Sequence, residues 1–433
     1  MSNRARTQFL EEIWTPYPPA NAGWKDVSSF EGKALSETIV CGRIKKIDLE
    51  RCEIEANGSS LTFSFAKDSL SWLAPQRIDE GPAPDLFKIG DILAVALIDA
   101  GGALVAKSVL LLCPGLTTSE PRKFDVQQSV RWADFVSRVR SFFVEKGFIE
   151  AATPTLVPSP GTEPFLDPFK TEWEIGSKKR TFYLPTSPEF HLKKMLSRGW
   201  TKIFEVKPCF RNGEIGEHHQ PEFTMLEWYR AYANLDSIAD DVELLLKKLS
   251  SVSMRRTTMR DLFRERLSFD LRPNTSLAEL QALAQRERIG FSSDDSWDDV
   301  FFRIFLEKIE KDLGTDGPLL VRGYPPSQAA LSRIGEDGFA DRFEVYWRGL
   351  ELANAFHELN DPRENEARFG KDAEGKAALG KSAVPVDEEL LTAIRSGMPP
   401  SGGIALGMDR LFMAIYEIDE IEKTRAFPMT RPC

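Results

Sequence analysis

The sequence predicts an α+β chain in which a small β barrel precedes a largely antiparallel sheet flanked by helices. Three observations predict it. Residues 36–112 are short apolar runs broken by turns, among them Asn57-Gly58, a dipeptide that closes tight hairpins. Residues 202–232, KIFEVKPCFRNGEIGEHHQPEFTMLEWYRAY, read as two strands joined by a polar loop containing glycine. Near the end, glycine-rich SGGIALG runs straight into the apolar helix MDRLFMAIY.

Composition narrows the classes. With 433 residues, 42% of them hydrophobic and 28% charged, the chain is long enough for two or three globular domains. A net charge of −10 argues against a general nucleic-acid coat, which would be basic. No apolar run approaches the ~20 residues of a membrane span, and no apolar core follows Arg4 and Arg6 as in a secretory signal. The five cysteines include no C-x-x-C pair, a cytoplasmic pattern of unpaired thiols without a disulfide frame or zinc site.

In chain order, 1–34 hold a short helix over 7–14 and a Pro-rich connector. Five or so strands in 35–112 suggest a barrel of OB type. Residues 1–120 carry 12 Lys or Arg against 16 Asp or Glu, a poor balance for a nucleic-acid face. A structural or protein-contact role is the simpler expectation. Residues 113–125 form the linker, and 126–433 the catalytic domain. Its first helix spans 126–146, with Val130, Phe135, Val139, Phe142 and Phe143 near helical spacing. TFYLPTSPEFHLKKML reads as strand, turn and helix, with Thr186 or Ser187 capping, Pro188 early and Glu189 in the first turn. The stretch 250–315 is a charged helical insertion in which Ser296 and Asp299 form a near capping box.

Several residues fit such a scaffold poorly unless they carry chemistry. Period-two alternation puts Leu226 and Trp228 on one face of the second strand, and Phe223, Met225, Glu227 and Tyr229 on the other. A carboxylate among apolar neighbours is costly unless a cation meets it, and the facing strand ends on Arg211. The competing structural reading is a surface hairpin with a solvated Glu227. In RFEVYWRGLELANAFHELND, Glu351, Asn354 and Glu358 interrupt an apolar strand, as oxygen ligands of Mg²⁺ would. They also read as an ion-pair partner of Arg342 or Arg348 and an edge charge. Glu351 and Glu358 are seven apart, so a regular strand faces them oppositely, and a bulge or opposite ends of one pocket must reconcile them. Gly402, Gly403 and Gly407 permit close backbone approach, and Arg410 needs an anion. The chain has no G-K-[ST] P-loop and no dinucleotide fingerprint.

A helix and strand leading to Pro154, a strand–Arg211–loop–Phe223–Glu227 unit, and a glycine-rich strand–Arg410–helix unit stand in one order. Together they resemble motifs 1, 2 and 3 of the class II aminoacyl-tRNA synthetases. FRN…HxxPEFTMLEWY, GLELANAFHELND and GIALGMDRL resemble the lysyl branch. With TSPEFHLKKML they are most similar to the elongation factor P–lysine ligases, over about 122–433. Residues 35–112 resemble, more weakly, the OB domain of true lysyl-tRNA synthetases.

The resemblance implies ATP and Mg²⁺ as cofactors, lysine or (R)-β-lysine as substrate, elongation factor P as acceptor, and a homodimer through motif 1. Arg211 and Arg410 would be the catalytic cations. Arg211 would hold the α-phosphate and the substrate carboxylate, and Arg410 the γ-phosphate. Phe223 would stack on adenine, with Asn212, Gly213, His219, Gln220, Leu352 and Gly407 completing the ATP site. Glu351 and Glu358 would hold Mg²⁺ between the phosphates. Glu189, beside Ser187 and Pro188, would meet the amine near the carboxylate, and Glu227, Tyr229 and Glu358 the distal ammonium, with Asn354 also touching substrate. Ser187 and Ala405 match the ligases where lysyl-tRNA synthetases have alanine and glycine, which favours β-lysine. The chain departs from the family at Gly213, where an acid is usual, at Gln220 for asparagine, at Glu217 for a basic residue, and in having an N-terminal barrel. The alternatives are a lysyl-tRNA synthetase acting on tRNA-Lys with a reduced anticodon domain, and an inactive paralogue serving as a binding module.

Overall fold

In the computed structural model the described residues are 25–26, 38–48, 50–56, 58–66, 70–72, 87–113 and 126–429. The expected helix over 7–14, the Pro-rich connector, Asn57 and linker residues 114–125 lie outside them. By packing, the chain divides between Arg131 and Trp132.

The N-terminal unit is a closed five-stranded ring with two short strands attached. Strands β2 (Thr38–Ile47), β3 (Arg51–Ala56) and β4 (Ser59–Phe65) run antiparallel in sequence order, and β4 pairs in parallel with β7 (Leu104–Cys113). β7 pairs with β6 (Ile92–Asp99), which returns to β2 and closes the ring. The two-residue strands β1 (Lys25–Asp26) and β5 (Ser71–Trp72) add to β2 and β7. Closure removes exposed strand edges, which is the OB-like arrangement the strand spacing predicts. Val40, Ile44, Ile54, Leu93, Val109 and the rings of Phe63, Phe65 and Phe87 fill its interior. These three aromatics are therefore core, not a platform for bases.

The second unit is built on an eight-stranded sheet. In spatial order it runs β13 (Arg255–Thr258), β14 (Leu319–Tyr324), β15 (Ala340–Trp347), β16 (Leu350–His357), β17 (Ser401–Gly407), β12 (Glu222–Ala231), β11 (Lys202–Phe210) and β8 (Ile149–Glu150). Only the outermost pairs, β13–β14 and β11–β8, are parallel. β9 (Lys170–Ile175) and β10 (Lys178–Tyr183) form a separate hairpin. One sheet face is sealed by helix α1 (Val126–Glu145), and further helices stand on either side: α2 (Glu189–Leu196), α3 (Leu235–Ser250), α4 (Met259–Leu267), α5 (Leu277–Arg286), α6 (Trp297–Lys308), α7 (Pro362–Ala378), α8 (Glu388–Arg395) and α9 (Met408–Tyr416).

The sealed face holds the main core, where Phe143 of α1 stacks on Phe204 at 4.9 Å and meets Trp228 at 5.0 Å between ring centres. Leu226, Val242 of α3 and Phe412 of α9 complete it. Val130, expected in this core, is exposed; the buried stripe of α1 starts at Phe135. The insertion has its own core around Phe263, Phe301 and Leu280. It is not wholly helical, because Arg255–Thr258 adds a strand to the sheet edge. The Ser296–Asp299 capping box is present. Among the described residues no helix is long and apolar enough to cross a membrane.

Candidate active site

The other face of β12, β16 and β17 floors a cavity of about 600 Å³. Three central strands place its side chains by register: Glu227 of β12 pairs with Ala405 of β17, which pairs with Asn354 of β16. A bulge decides which side chains of β16 reach it. Ala353 pairs with Val345 and Glu351 with Tyr346, so Leu352 is the additional residue. That one-residue shift returns Glu351 to the side of Asn354, Phe356 and Glu358, and all four line the cavity.

One end collects acids. Glu227 is fully buried; the Ser187 hydroxyl donates to its Oε1 at 2.5 Å and the Tyr229 hydroxyl to its Oε2 at 3.1 Å. Burial, and then the nearby charge of Glu189, push its carboxyl well above the usual range. Ser187 does not cap α2 as expected. Pro188 holds the N-cap position, and the Ser187 hydroxyl accepts the Glu189 amide at 3.0 Å while donating to Glu227. Lys193, one turn along α2 and 2% exposed, places its ammonium 2.5 Å from Glu189 Oε1 and 2.6 Å from Glu358 Oε2. Burial disfavours this ammonium, yet the two carboxylates outweigh that and hold its pKa above the ordinary lysine value. One cation does not balance two acids. Burial accordingly pushes Glu358 up to about 7 in spite of Lys193. Gly403 makes the arrangement possible: a Cβ there would lie 2.2 Å from Glu358 Oε1 and 2.3 Å from the Tyr229 ring.

The other end collects cations. Arg211 lies just past β11, with its guanidinium 5.0 Å from the centre of the Phe223 ring and 3.8 Å from Glu214. Arg410, in the first turn of α9, donates to the Glu351 carbonyl at 2.9 Å and to His219 Nε2 at 2.6 Å. Burial and the Arg410 charge lower the His219 pKa, which suits a neutral ring accepting from that guanidinium. The helix carrying Arg410 is registered on β12 by Asp409, which accepts the Thr224 amide at 2.6 Å and the Arg425 guanidinium at 3.1 Å.

Among the described residues, four buried polar atoms with neither a hydrogen-bond nor an ion-pair partner belong to residues lining this cavity, two toward each end. The donors Arg211 Nε and Gln220 Nε2 are at the cationic end. The acceptors Asn354 Oδ1 and Glu163 Oε2 are in the same cavity among the acids. Unpaired buried groups cost free energy unless a ligand completes them. The cavity is thus shaped for one molecule presenting anionic oxygen at one end and N–H donors at the other.

Residues 122–431 match the family described as tRNA synthetases class II (D, K and N). The elongation factor P–(R)-β-lysine ligase of Hamiltonella defensa is 34% identical over 318 residues, 71% of this chain and 96% of the relative. That of Pectobacterium atrosepticum is 36% identical over 325 residues, covering 73% and 99%. The chain belongs to the class II tRNA synthetases of the D, K and N type. It is an ATP-dependent aminoacyl ligase, and roughly its first 120 residues lie outside the region that defines the family.

Within this class II site, Ser187, Glu189, Arg211, His219, Gln220, Phe223, Tyr229, Glu351, Leu352, Asn354, Glu358, Ala405, Gly407 and Arg410 all line the cavity. Glu227 lies beneath it, covered by Ser187 and Tyr229. Pro188 serves the helix end, Asn212 donates its amide to the Asp167 carbonyl at 2.8 Å, and Gly213 turns the loop at φ 82° with open space around it. These three do not reach the cavity wall.

Joint metal binding by Glu351 and Glu358 is corrected. Seven residues of strand separate them by roughly 20 Å, too far for one ion. Glu358 faces Lys193, whereas Glu351 lies beside Glu344 and Arg410 and is pushed up to about 7 by burial and then by Glu344. Glu344 is itself tied to Arg342, Tyr346 and the Tyr324 hydroxyl. Two charged residues of the acidic end escaped the sequence reading: Lys193, buried behind Glu189 and Glu358, and Glu163 on the cavity wall. HLKKML reads as an exposed helix and PGTEPF as a loop; only the chemistry of a buried charge marks them, and burial is tertiary.

Proposed function

We propose that the enzyme condenses (R)-β-lysine or lysine with ATP to an aminoacyl-adenylate and transfers it to a lysine of elongation factor P in the cytoplasm. The observation that carries this is the sorting of unpartnered donors and acceptors to opposite ends of one cavity. A diamino acid carrying a carboxylate satisfies both ends, and its ammonium groups supply the cation that Lys193 alone does not. The acceptor follows from the activity for which these relatives are named.

The chemistry needs no protein nucleophile. A substrate carboxylate oxygen attacks the α-phosphorus and pyrophosphate leaves, so the protein's part is orientation and charge. Arg211 has a free Nε and a planar fork, and would hold the carboxylate and α-phosphate together. Phe223, already under that guanidinium, would carry the adenine on its free surface. Arg410 would turn from His219 to the terminal phosphate. Among the described residues no three His, Cys, Asp or Glu converge on one metal position. Glu351, with Glu344 beside it, fits Mg²⁺ that takes its remaining ligands from the nucleotide, and the ion would neutralise phosphate charge there.

Ser187 and Ala405 meet at Glu227, and there they would shape the pocket for the β-amino acid. Val144 and Ile149, exposed on α1 and on the edge strand β8, support a homodimer through this edge; light scattering giving twice the chain mass is expected. The acceptor is tested by offering labelled (R)-β-lysine, ATP and both elongation factor P and tRNA to the enzyme. Label on the protein factor is expected, and label on tRNA alone would reject the assignment. Among the described residues, Phe63, Phe65 and Phe87 of the barrel are buried and offer tRNA no stacking surface.

A further inference from the structure

Glu163 lies on the loop between β8 and β9 that closes the acidic end of the cavity. Although the residue as a whole is half-buried, its Oε2 is shut off from solvent and has no hydrogen-bond partner. Its loop is held by the main chain rather than by this carboxylate. Lys376 of α7 donates to the carbonyls of Glu163 and Leu166 at 3.3 and 2.8 Å, Thr162 donates to Asp372 at 3.0 Å, and Lys381 reaches the Phe165 carbonyl at 2.7 Å. The carboxylate is folded back over Gly161: a Cβ there would stand 2.0 Å from Glu163 Oε2 and 2.9 Å from the Thr186 hydroxyl. Burial, then repulsion from Glu189, raise the Glu163 pKa, opposed first by its own backbone amide and then by Arg211. Its electrostatic neighbours are thus Glu189 and Arg211, the two groups that flank the carboxyl-proximal part of a bound diamino acid. Glu189 already spends Oε1 on Lys193. Glu163 keeps Oε2 without a partner.

We propose that Glu163 is a substrate-binding residue whose free carboxylate oxygen accepts the ammonium nearest the substrate carboxyl group, acting beside the Lys193-tethered Glu189. This rests on the diamino-acid reading of the cavity. A preorganised acceptor on a loop pinned by α7 needs no rearrangement to bind, and a charge-assisted hydrogen bond from a buried ammonium satisfies the unpaired oxygen. The small Gly161 is part of the device, since any side chain would displace the carboxylate.

The test compares wild type, Glu163→Gln and Gly161→Ala in ATP–pyrophosphate exchange with lysine and (R)-β-lysine, and with 6-aminohexanoate, which lacks the carboxyl-proximal amine, as inhibitor. Loss of one charged hydrogen bond is expected to raise the amino-acid KM roughly ten- to hundredfold. For Glu163→Gln the KM for ATP and the 6-aminohexanoate inhibition constant should stay within about twofold, and the melting temperature should be unchanged. Gly161→Ala should reproduce the amino-acid effect. An unchanged amino-acid KM in Glu163→Gln overturns the proposal, and so does an equal loss for 6-aminohexanoate or ATP, which would mark a structural role. If the wild type shows no exchange with either amino acid, the activation reading fails. Calorimetric binding of lysine, weakened or not by Glu163→Gln, would then still decide the role of Glu163.

Discussion

The two ends of the cavity are built differently. At the acidic end most side chains already pair with one another, and Glu163 Oε2 and Asn354 Oδ1 are left open for a ligand. Ser187 and Tyr229 cover Glu227, and Lys193 spans Glu189 and Glu358, all against the helix α2 and the centre of the sheet. At the cationic end Arg211 keeps a buried unpartnered donor, and Arg410 rests on a histidine and a carbonyl that a phosphate can replace. The difference teaches that amino-acid recognition is part of the folded core, whereas the nucleotide end is completed by its ligand. Substitutions of the mutually paired groups at the first should therefore cost stability, and substitutions at the second activity.

The largest expected effect breaks the acidic end. Lys193→Met removes the cation shared by two buried carboxylates, and chemical denaturation should show a loss of about 3–5 kcal/mol. Adding Glu358→Gln should recover part of that loss, because the unpaired charge goes with it. A Lys193 variant of unchanged stability would mean that the two ends are not built differently. Next comes Arg211→Ala, expected to lower the exchange rate by roughly 10²–10³ with little change in melting temperature.

A pH series sharpens the contrast. Glu351 and Glu358 titrate at about 7 when folded, against an ordinary 4.5. Their folded forms hold protons that the unfolded chain has released. They therefore stabilise the free enzyme least at high pH, and their contribution falls as pH rises from about 4.5 to 7, by at most ~1.4 kcal/mol per unit per group. A bound ammonium favours ionised Glu358. The increase in melting temperature given by lysine should therefore grow between pH 5 and pH 7.5; an increment independent of pH would show that Glu358 does not meet the ligand's charge. The smallest effect is one of selectivity. Ser187→Ala with Ala405→Gly should shift the kcat/KM ratio of (R)-β-lysine over lysine by roughly tenfold toward lysine.

These contrasts also explain what could be read in advance. The face of β12 was legible because alternation is local: Leu226 and Trp228 fall in the core and Phe223, Met225 and Tyr229 in the cavity through period two alone. The barrel was legible from strand spacing and from the turn at Gly58, whose φ of 76° suits a tight hairpin. The parity of Glu351 and Glu358 was legible only as a conflict, since a bulge at Leu352 depends on the neighbouring strand. Lys193 and Glu163 were not legible, because nothing local distinguishes a buried lysine in HLKKML from the solvated Lys of any surface helix. Pairing Glu351 with Glu358 as metal ligands failed for the same reason: spacing along a chain is not distance in a site.

The central claim is that one end of the cavity takes ammonium groups and the other takes the carboxylate with ATP. Amino-acid-dependent ATP–pyrophosphate exchange measured with lysine, (R)-β-lysine and norleucine tests it most directly. Exchange with the two diamino acids and at least a hundredfold less with norleucine, which lacks the distal ammonium, is the expected result. Equal exchange with norleucine, or none with any of the three, would contradict it.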